Sequence, residues 1–129
     1  MDPHGPVCLI VEDTRFDQSM MTRVLAHLHP APRVIMATTL AEARRHLGGA
    51  DIDILFLDNM LPDGTGTEFL RELATHPTWA RVPVVLVSDW PTPFMFDKAR
   101  AAHVRAIWSK GDFTGERVRR MVRTHARVH

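Results

Sequence analysis

The stretch from Ile52 to Leu57, apolar except for Asp53, runs into Asp58-Asn59-Met60-Leu61-Pro62-Asp63-Gly64, and no other feature restricts the fold as strongly. Its length and composition fit a strand buried on both faces. A strand of that kind needs helices above and below a parallel sheet. Asp58 then stands where a central strand gives way to a loop. In an open α/β sheet, the carboxyl ends of the strands border the crevice in which ligands bind. Taken alone, Asp58 suits equally well a cap for the turn that begins at Pro62, and the ends of the other strands decide between the two uses.

Four more apolar runs have the same character. Val7 to Val11 ends at the acidic pair Glu12 and Asp13. Arg33 to Ala37 is short. Pro83 to Val87, with proline at its first position where a missing donor is tolerated, ends at Ser88. Ala106 to Ser109 ends at Lys110-Gly111.

Between these runs the period changes to that of a helix. Thr14 or Asp17 can cap a helix in which Met20, Val24 and Leu28 recur until Pro30. Thr39 with Glu42, and Thr65 with Glu68, have capping-box spacing. The first opens a helix closing at Gly48-Gly49, and the second a helix carrying Phe69, Leu70 and Leu73. Trp79 and Val82 are expected to cover the core. Thr92 before Pro93 opens a helix continuing through Phe94, Met95, Lys98, Ala99 and Ala102. Thr114 caps a last helix with Val118, Met121, Val122 and His125 on one side and Glu116, Arg119, Arg120, Arg123 and Arg127 elsewhere. Five strands alternating with five helices predict an α/β fold with a five-stranded parallel sheet covered on both faces.

Composition excludes several classes. The 129 residues suit one domain, 1–129, without an output domain. A net charge of +1 with 24% charged residues carries no imbalance of the kind that marks a nucleic-acid or membrane partner. The single cysteine, Cys8, falls in an apolar strand and has no partner for a disulfide, which fits a reducing cytoplasm. The start of the chain lacks a signal core, and no apolar run approaches the ~18 residues of a membrane span. The eight histidines lack ligand spacing for zinc, and Gly64-Thr65-Gly66 lacks the third glycine of a nucleotide fingerprint.

Strands of a parallel sheet all point one way, so Glu12, Asp13, Asp58, Ser88 and Lys110 are expected at one edge. Three carboxylates there raise one another's pKa unless a cation neutralises them, and a hard divalent ion such as Mg²⁺ suits an all-oxygen set. Lys110 and Ser88 would face a phosphoryl group from the other side. Asp58 is left as nucleophile, forming an aspartyl phosphate.

An acidic pair after strand one, Asp followed by Pro-Asp-Gly after strand three, Ser after strand four and Lys after strand five resembles the response regulator receiver domain of two-component systems. The single-domain, chemotaxis-type receivers are the nearest in kind. The resemblance covers essentially the whole chain. It implies the doubly wound, flavodoxin-like strand order 2-1-3-4-5 and phosphoryl transfer from a sensor histidine kinase or a histidine phosphotransfer protein to Asp58. It implies Mg²⁺ held by Asp13, Asp58 and the main-chain carbonyl of Met60, with Glu12 acting through water. Ser88 and Lys110 would bind the phosphoryl group. The last two helices and strand five would meet a downstream protein target or a second copy of the chain. A classical turnover enzyme is not implied.

Four departures from the family pattern stand out. Gly111 replaces the usual proline after the lysine, so that peptide should be trans. Ile107 occupies the place of an aromatic switch. Asp89 adds a charge where a small residue is usual. Met60 and Trp90 occupy the positions linked to self-dephosphorylation, and their bulk should hinder an attacking water and lengthen the life of the phosphoryl group. Asp89, Ile107 and Gly111 also motivate an alternative, a receiver-like interaction module that works without phosphate. The arginines of the last helix admit three uses: a solvated face, a dock for an acidic partner, or a phosphate-backbone contact.

Overall fold

The computed structural model describes residues 5–100 and 104–127. The main sheet is built from β1 (Val7–Val11), β2 (Arg33–Ala37), β3 (Ile54–Asp58), β6 (Val84–Ser88) and β7 (Val104–Ser109), all parallel, in the order β2-β1-β3-β6-β7. A two-residue hairpin, β4 (Met60–Leu61) with β5 (Gly64–Thr65), lies in the loop after β3 and forms its own small antiparallel sheet. Counting only the main sheet, the order is the expected 2-1-3-4-5. The helices are α1 (Arg15–Ala26), α2 (Leu40–Gly49), α3 (Gly66–Thr75), α4 (Pro93–Ala99) and α5 (Gly115–His125).

Alternation along each strand divides the core in two. Leu9, Leu55, Leu57 and Leu86 face α2, α3 and α4, where they meet Leu47, Phe69, Leu73 and Met95. Cys8, Ile10, Phe56 and Val87 face the other way, toward Met21 and Leu25 of α1 and Val118 of α5. Both faces of β3 are therefore apolar, as its unbroken sequence requires. Val82 is buried and Trp79 packs partly against the first of these layers.

Threonines fix most helix starts. The side chains of Thr39, Thr65, Thr92 and Thr114 accept from the backbone N–H three residues on, at Glu42, Glu68, Met95 and Arg117. Thr14 has the N-cap position of α1 but makes no side-chain capping bond. Some boundaries differ from the sequence reading. The helix α1 stops at Ala26, short of Leu28, whereas α2 ends at Gly49, as the glycine pair predicts. The first strand residue of β3 is Ile54, because Asp53 accepts at its carboxylate from the N–H of Val7, 2.7 Å away. Pro93 opens α4, and Ala102 lies outside the described residues. Among the described residues no helix is long and apolar enough to cross a membrane.

Candidate functional site

The rim at the carboxyl ends of the strands collects the polar residues on which the sequence reading turns. Beyond Val11, the last residue of β1, the buried Glu12 and the exposed Asp13 follow; Asp58 is the last residue of β3 and is buried. Oxygen atoms of Glu12, Asp13 and Asp58 all lie within 4.8 Å of one another. Lys110, directly after β7, brings its ammonium 2.8 Å from Glu12 Oε2 and 3.8 Å from Asp58 Oδ2. Ser88 ends β6 and is buried; its Oγ accepts from the N–H of Trp90 at 3.2 Å. The N–H of Met60 donates to Asp58 Oδ1 at 3.3 Å.

Two residues that sequence reasoning did not place in the site belong to it. Asp17, read only as a helix cap, accepts from Lys110 Nζ at 2.8 Å and lies 2.9 Å from the hydroxyl of Thr14. Thr14 approaches Glu12 Oε1 with both its N–H and its hydroxyl at 3.0 Å. That hydroxyl stands between two carboxylates, which explains why it does not cap its own helix. The signal available in sequence was the turn Glu12-Asp13-Thr14 entering a helix, since residues of a first helical turn face back over the preceding strand end.

Electrostatics follow from this crowding. Burial, reinforced by the neighbouring Glu12 carboxyl, raises the Asp58 carboxyl from the ordinary range to about 7, against the opposing pull of Lys110 and the Met60 N–H. Burial tends to lower the Lys110 ammonium, but hydrogen bonds to Asp17 and Glu12 and the charge of Asp58 more than compensate and hold it above its usual value. Burial also tends to raise Asp17, yet its bonds to Lys110 and Thr14 keep it below the usual carboxylate range. Three acids sharing one small space, one of them pushed well above the ordinary carboxylate range, form an all-oxygen set of the kind that suits a hard divalent cation. The two carboxylates beside Lys110, on Glu12 and Asp17, are satisfied without such an ion.

The loop after Lys110 is shaped without proline. Residues Lys110–Asp112 form a single 3₁₀ turn, with the N–H of Ser109 donating to Asp112 Oδ2 at 3.1 Å. The cis peptide among the described residues is His29-Pro30, so the Lys110-Gly111 bond is trans, as expected. Phe113 anchors the end of the turn, its ring 5.1 Å from Phe56 and 6.1 Å from Trp108. Ile107 packs on the opposite side of the sheet, against the α2–α3–α4 layer. The aromatic nearest the expected switch position is thus Trp108, and it is locked in a three-ring cluster. Beyond Ser88, Asp89 is exposed, and Trp90 and Met60 stand out from the rim at 84% and 68% exposure. They border an open cleft of about 880 Å³ that reaches Thr67, Phe94 and Lys98.

Fold and site together define a parallel α/β domain with an acidic, lysine-facing cluster at the carboxyl rim of the sheet. Comparison with known proteins gives it a family: the chain belongs to the response regulator receiver domain family, which matches residues 8–123. It is 31% identical over 86 residues to the two-component response regulator ORR8 of rice, covering 66% of this chain and 69% of that protein. Among solved structures it resembles the phosphorylated cyanobacterial phytochrome response regulator RcpA, with TM-score 0.75, 24% identity, and coverage of 92% of this chain and 89% of that one. It also resembles the receiver domain of a Pseudomonas aeruginosa sensor histidine kinase carrying magnesium in its active-site cleft, with TM-score 0.80, 21% identity, and coverage of 94% and 97%.

Proposed function

We propose that this domain is a phosphorylation-activated switch in which Asp58 accepts a phosphoryl group from a histidine-phosphorylated kinase or phosphotransfer protein. The observation that carries the proposal is the placement of Lys110 Nζ 3.8 Å from Asp58 Oδ2, on a rim shared with Glu12 and Asp13. An oxygen of Asp58 attacks phosphorus, the bond from phosphorus to the donor histidine nitrogen breaks, and an acyl phosphate forms. Later a water attacks the same phosphorus, the Asp58 oxygen leaves, and inorganic phosphate is released. Lys110 offsets charge on the phosphoryl oxygens, and Ser88 supplies a hydroxyl to one of them.

Asp13 and Asp58, with the Met60 carbonyl and Glu12 through water, would hold Mg²⁺. When bound, the ion neutralises the carboxylates and the incoming phosphoryl group. The magnesium named for the Pseudomonas receiver supports that choice, and the phosphorylated state named for RcpA supports the chemistry. We assign the switch to the cytoplasm, consistent with Cys8, a free thiol whose burial, aided by Asp53, pushes its pKa up to about 12. The domain would signal by docking a protein target on the face formed by α4, β7 and α5, without itself binding nucleic acid or membrane. Self-association through the same helices is a second use of that face.

The test is intact-mass spectrometry after incubation with acetyl phosphate and Mg²⁺. A mass gain of one phosphoryl group, lost in Asp58→Ala, is the expected result. An unmodified wild-type protein would leave the phosphate-independent interaction module in its place.

A further inference from the structure

Lys110 carries three ammonium protons, and two are already committed. Glu12 Oε2 and Asp17 Oδ2 each lie 2.8 Å from Nζ, whereas Asp58 Oδ2 lies at 3.8 Å, outside hydrogen-bonding range. Glu12 belongs to the acidic trio, but Asp17 does not. Asp17 is attached to a different body, the first turn of α1, where a carboxylate also complements the positive end of the helix. That helix is fixed by Met21 and Leu25 in the core beneath it. With side-chain exposures of 12% for Lys110 and 18% for Asp17, the pair is largely shielded from water.

We propose that Asp17 is a positioning residue that holds the Lys110 ammonium back from Asp58, so that a phosphoryl group must draw the lysine away from it. Resting on the assignment of Asp58 as phosphoacceptor, this makes Asp17 a competitor for the cation that stabilises the modified state. The modified state then forms only where a phosphoryl oxygen outcompetes a carboxylate already in place. Removing the competitor raises affinity for a phosphoryl group without adding any contact to it.

Beryllofluoride, with Mg²⁺, serves as the phosphoryl probe for wild type, Asp17→Asn and Asp17→Glu, each also in a Lys110→Met background. We expect Asp17→Asn to bind the probe about three- to tenfold more tightly, the effect of weakening one shielded ion pair. Asp17→Glu should behave as wild type, and the gain should vanish when Lys110 is Met. Equal or weaker binding by Asp17→Asn overturns the proposal. So does the same gain in the Lys110→Met background, since it would mean that Asp17 acts only as a distant negative charge. A second readout needs no phosphoryl group: the ammonium protons of Lys110, followed by NMR in the ligand-free protein, should exchange with water faster in Asp17→Asn. Unchanged exchange would refute the latch, whereas a wild type that accepts neither probe nor phosphoryl group would refute the role of Asp58 itself.

Discussion

A Cβ placed on Gly66 would stand 2.6 Å from the main-chain carbonyl oxygen of Asp58. The same carbon would meet Leu86 Cδ1 at 3.0 Å and Asn59 Cα at 3.1 Å, and the Gly66 N–H donates to the Asn59 carbonyl at 2.9 Å. The first turn of α3 is thereby pressed against the end of β3. Leu86 can turn aside, but the backbone oxygen cannot. Gly66→Ala should displace α3 from the strand end and destabilise the domain by about 1–3 kcal/mol, the usual size of an overpacking penalty. A lowered urea midpoint with an unchanged slope, together with weaker phosphoryl labelling of Asp58, is the expected outcome.

Asp58 also sets a pH dependence. Its pKa in the folded, metal-free protein, about 7, lies above the unfolded value of 3.8, so the folded state binds the proton more tightly. Stability that this proton contributes is present in acid and is lost as pH rises from about 4 to about 7. Asp58→Asn keeps the shape without the charge. It should match wild type near pH 4 and exceed it at pH 8 by up to about 4 kcal/mol, at about 1.4 kcal/mol for each pKa unit of the shift. Added Mg²⁺ should restore wild type and leave Asp58→Asn nearly unchanged. Thermal melts of both proteins across pH, with and without the ion, check this. A difference independent of pH would sink it.

How much of this was legible in the sequence depends on the range of the cause. Unbroken apolar runs read as strands because both faces of β3 are covered, and threonine caps read as helix starts because the bond they make is only three residues long. The convergence of Glu12, Asp58 and Lys110 followed from strand direction alone. Asp17 reads locally as a cap because its partner, Lys110, is 93 residues away and no local rule reports it. Trp108 reads as a core residue and is one, but its ring partners are not legible for a similar reason, since Phe56 and Phe113 come from other segments. Asp63 is the third case.

Asp63 reads locally as the middle of a Pro-Asp-Gly turn, yet its carboxylate accepts from the N–H groups of Leu40 at 2.8 Å and Ala41 at 3.0 Å. It caps α2 from the loop after β3 and ties that loop in place. These two bonds outweigh the small effect of burial and keep Asp63 ionised below the ordinary carboxylate range. The stability it supplies is therefore present above the unfolded carboxylate pKa and is lost as pH falls through the lower folded value. Asp63→Ala should melt several degrees lower at pH 7, and the gap should close in acid, once the wild-type cap is itself protonated. Melting both proteins across that range tests the cap; a gap that persists in acid would point to some other cause.

Met60 and Trp90 are each tied to the site by the backbone, through their N–H groups to Asp58 Oδ1 and Ser88 Oγ, while their exposed side chains border the mouth of the cleft that Ser88 also lines. A water that hydrolyses the acyl phosphate must approach phosphorus from the side opposite the Asp58 oxygen, through that mouth. A thioether is at best a weak acceptor and an indole only donates, so neither side chain orients the attack. The phosphoryl group should therefore be long-lived in the wild type. Met60→Gln or Trp90→Glu, by offering one good acceptor, should shorten its lifetime by roughly tenfold, which corresponds to about 1.4 kcal/mol, the scale of one hydrogen bond. Decay of a radiolabelled phosphoryl group at fixed Mg²⁺ measures this. A wild type that loses its label as quickly as the two variants would show that these side chains do not guard the phosphorus.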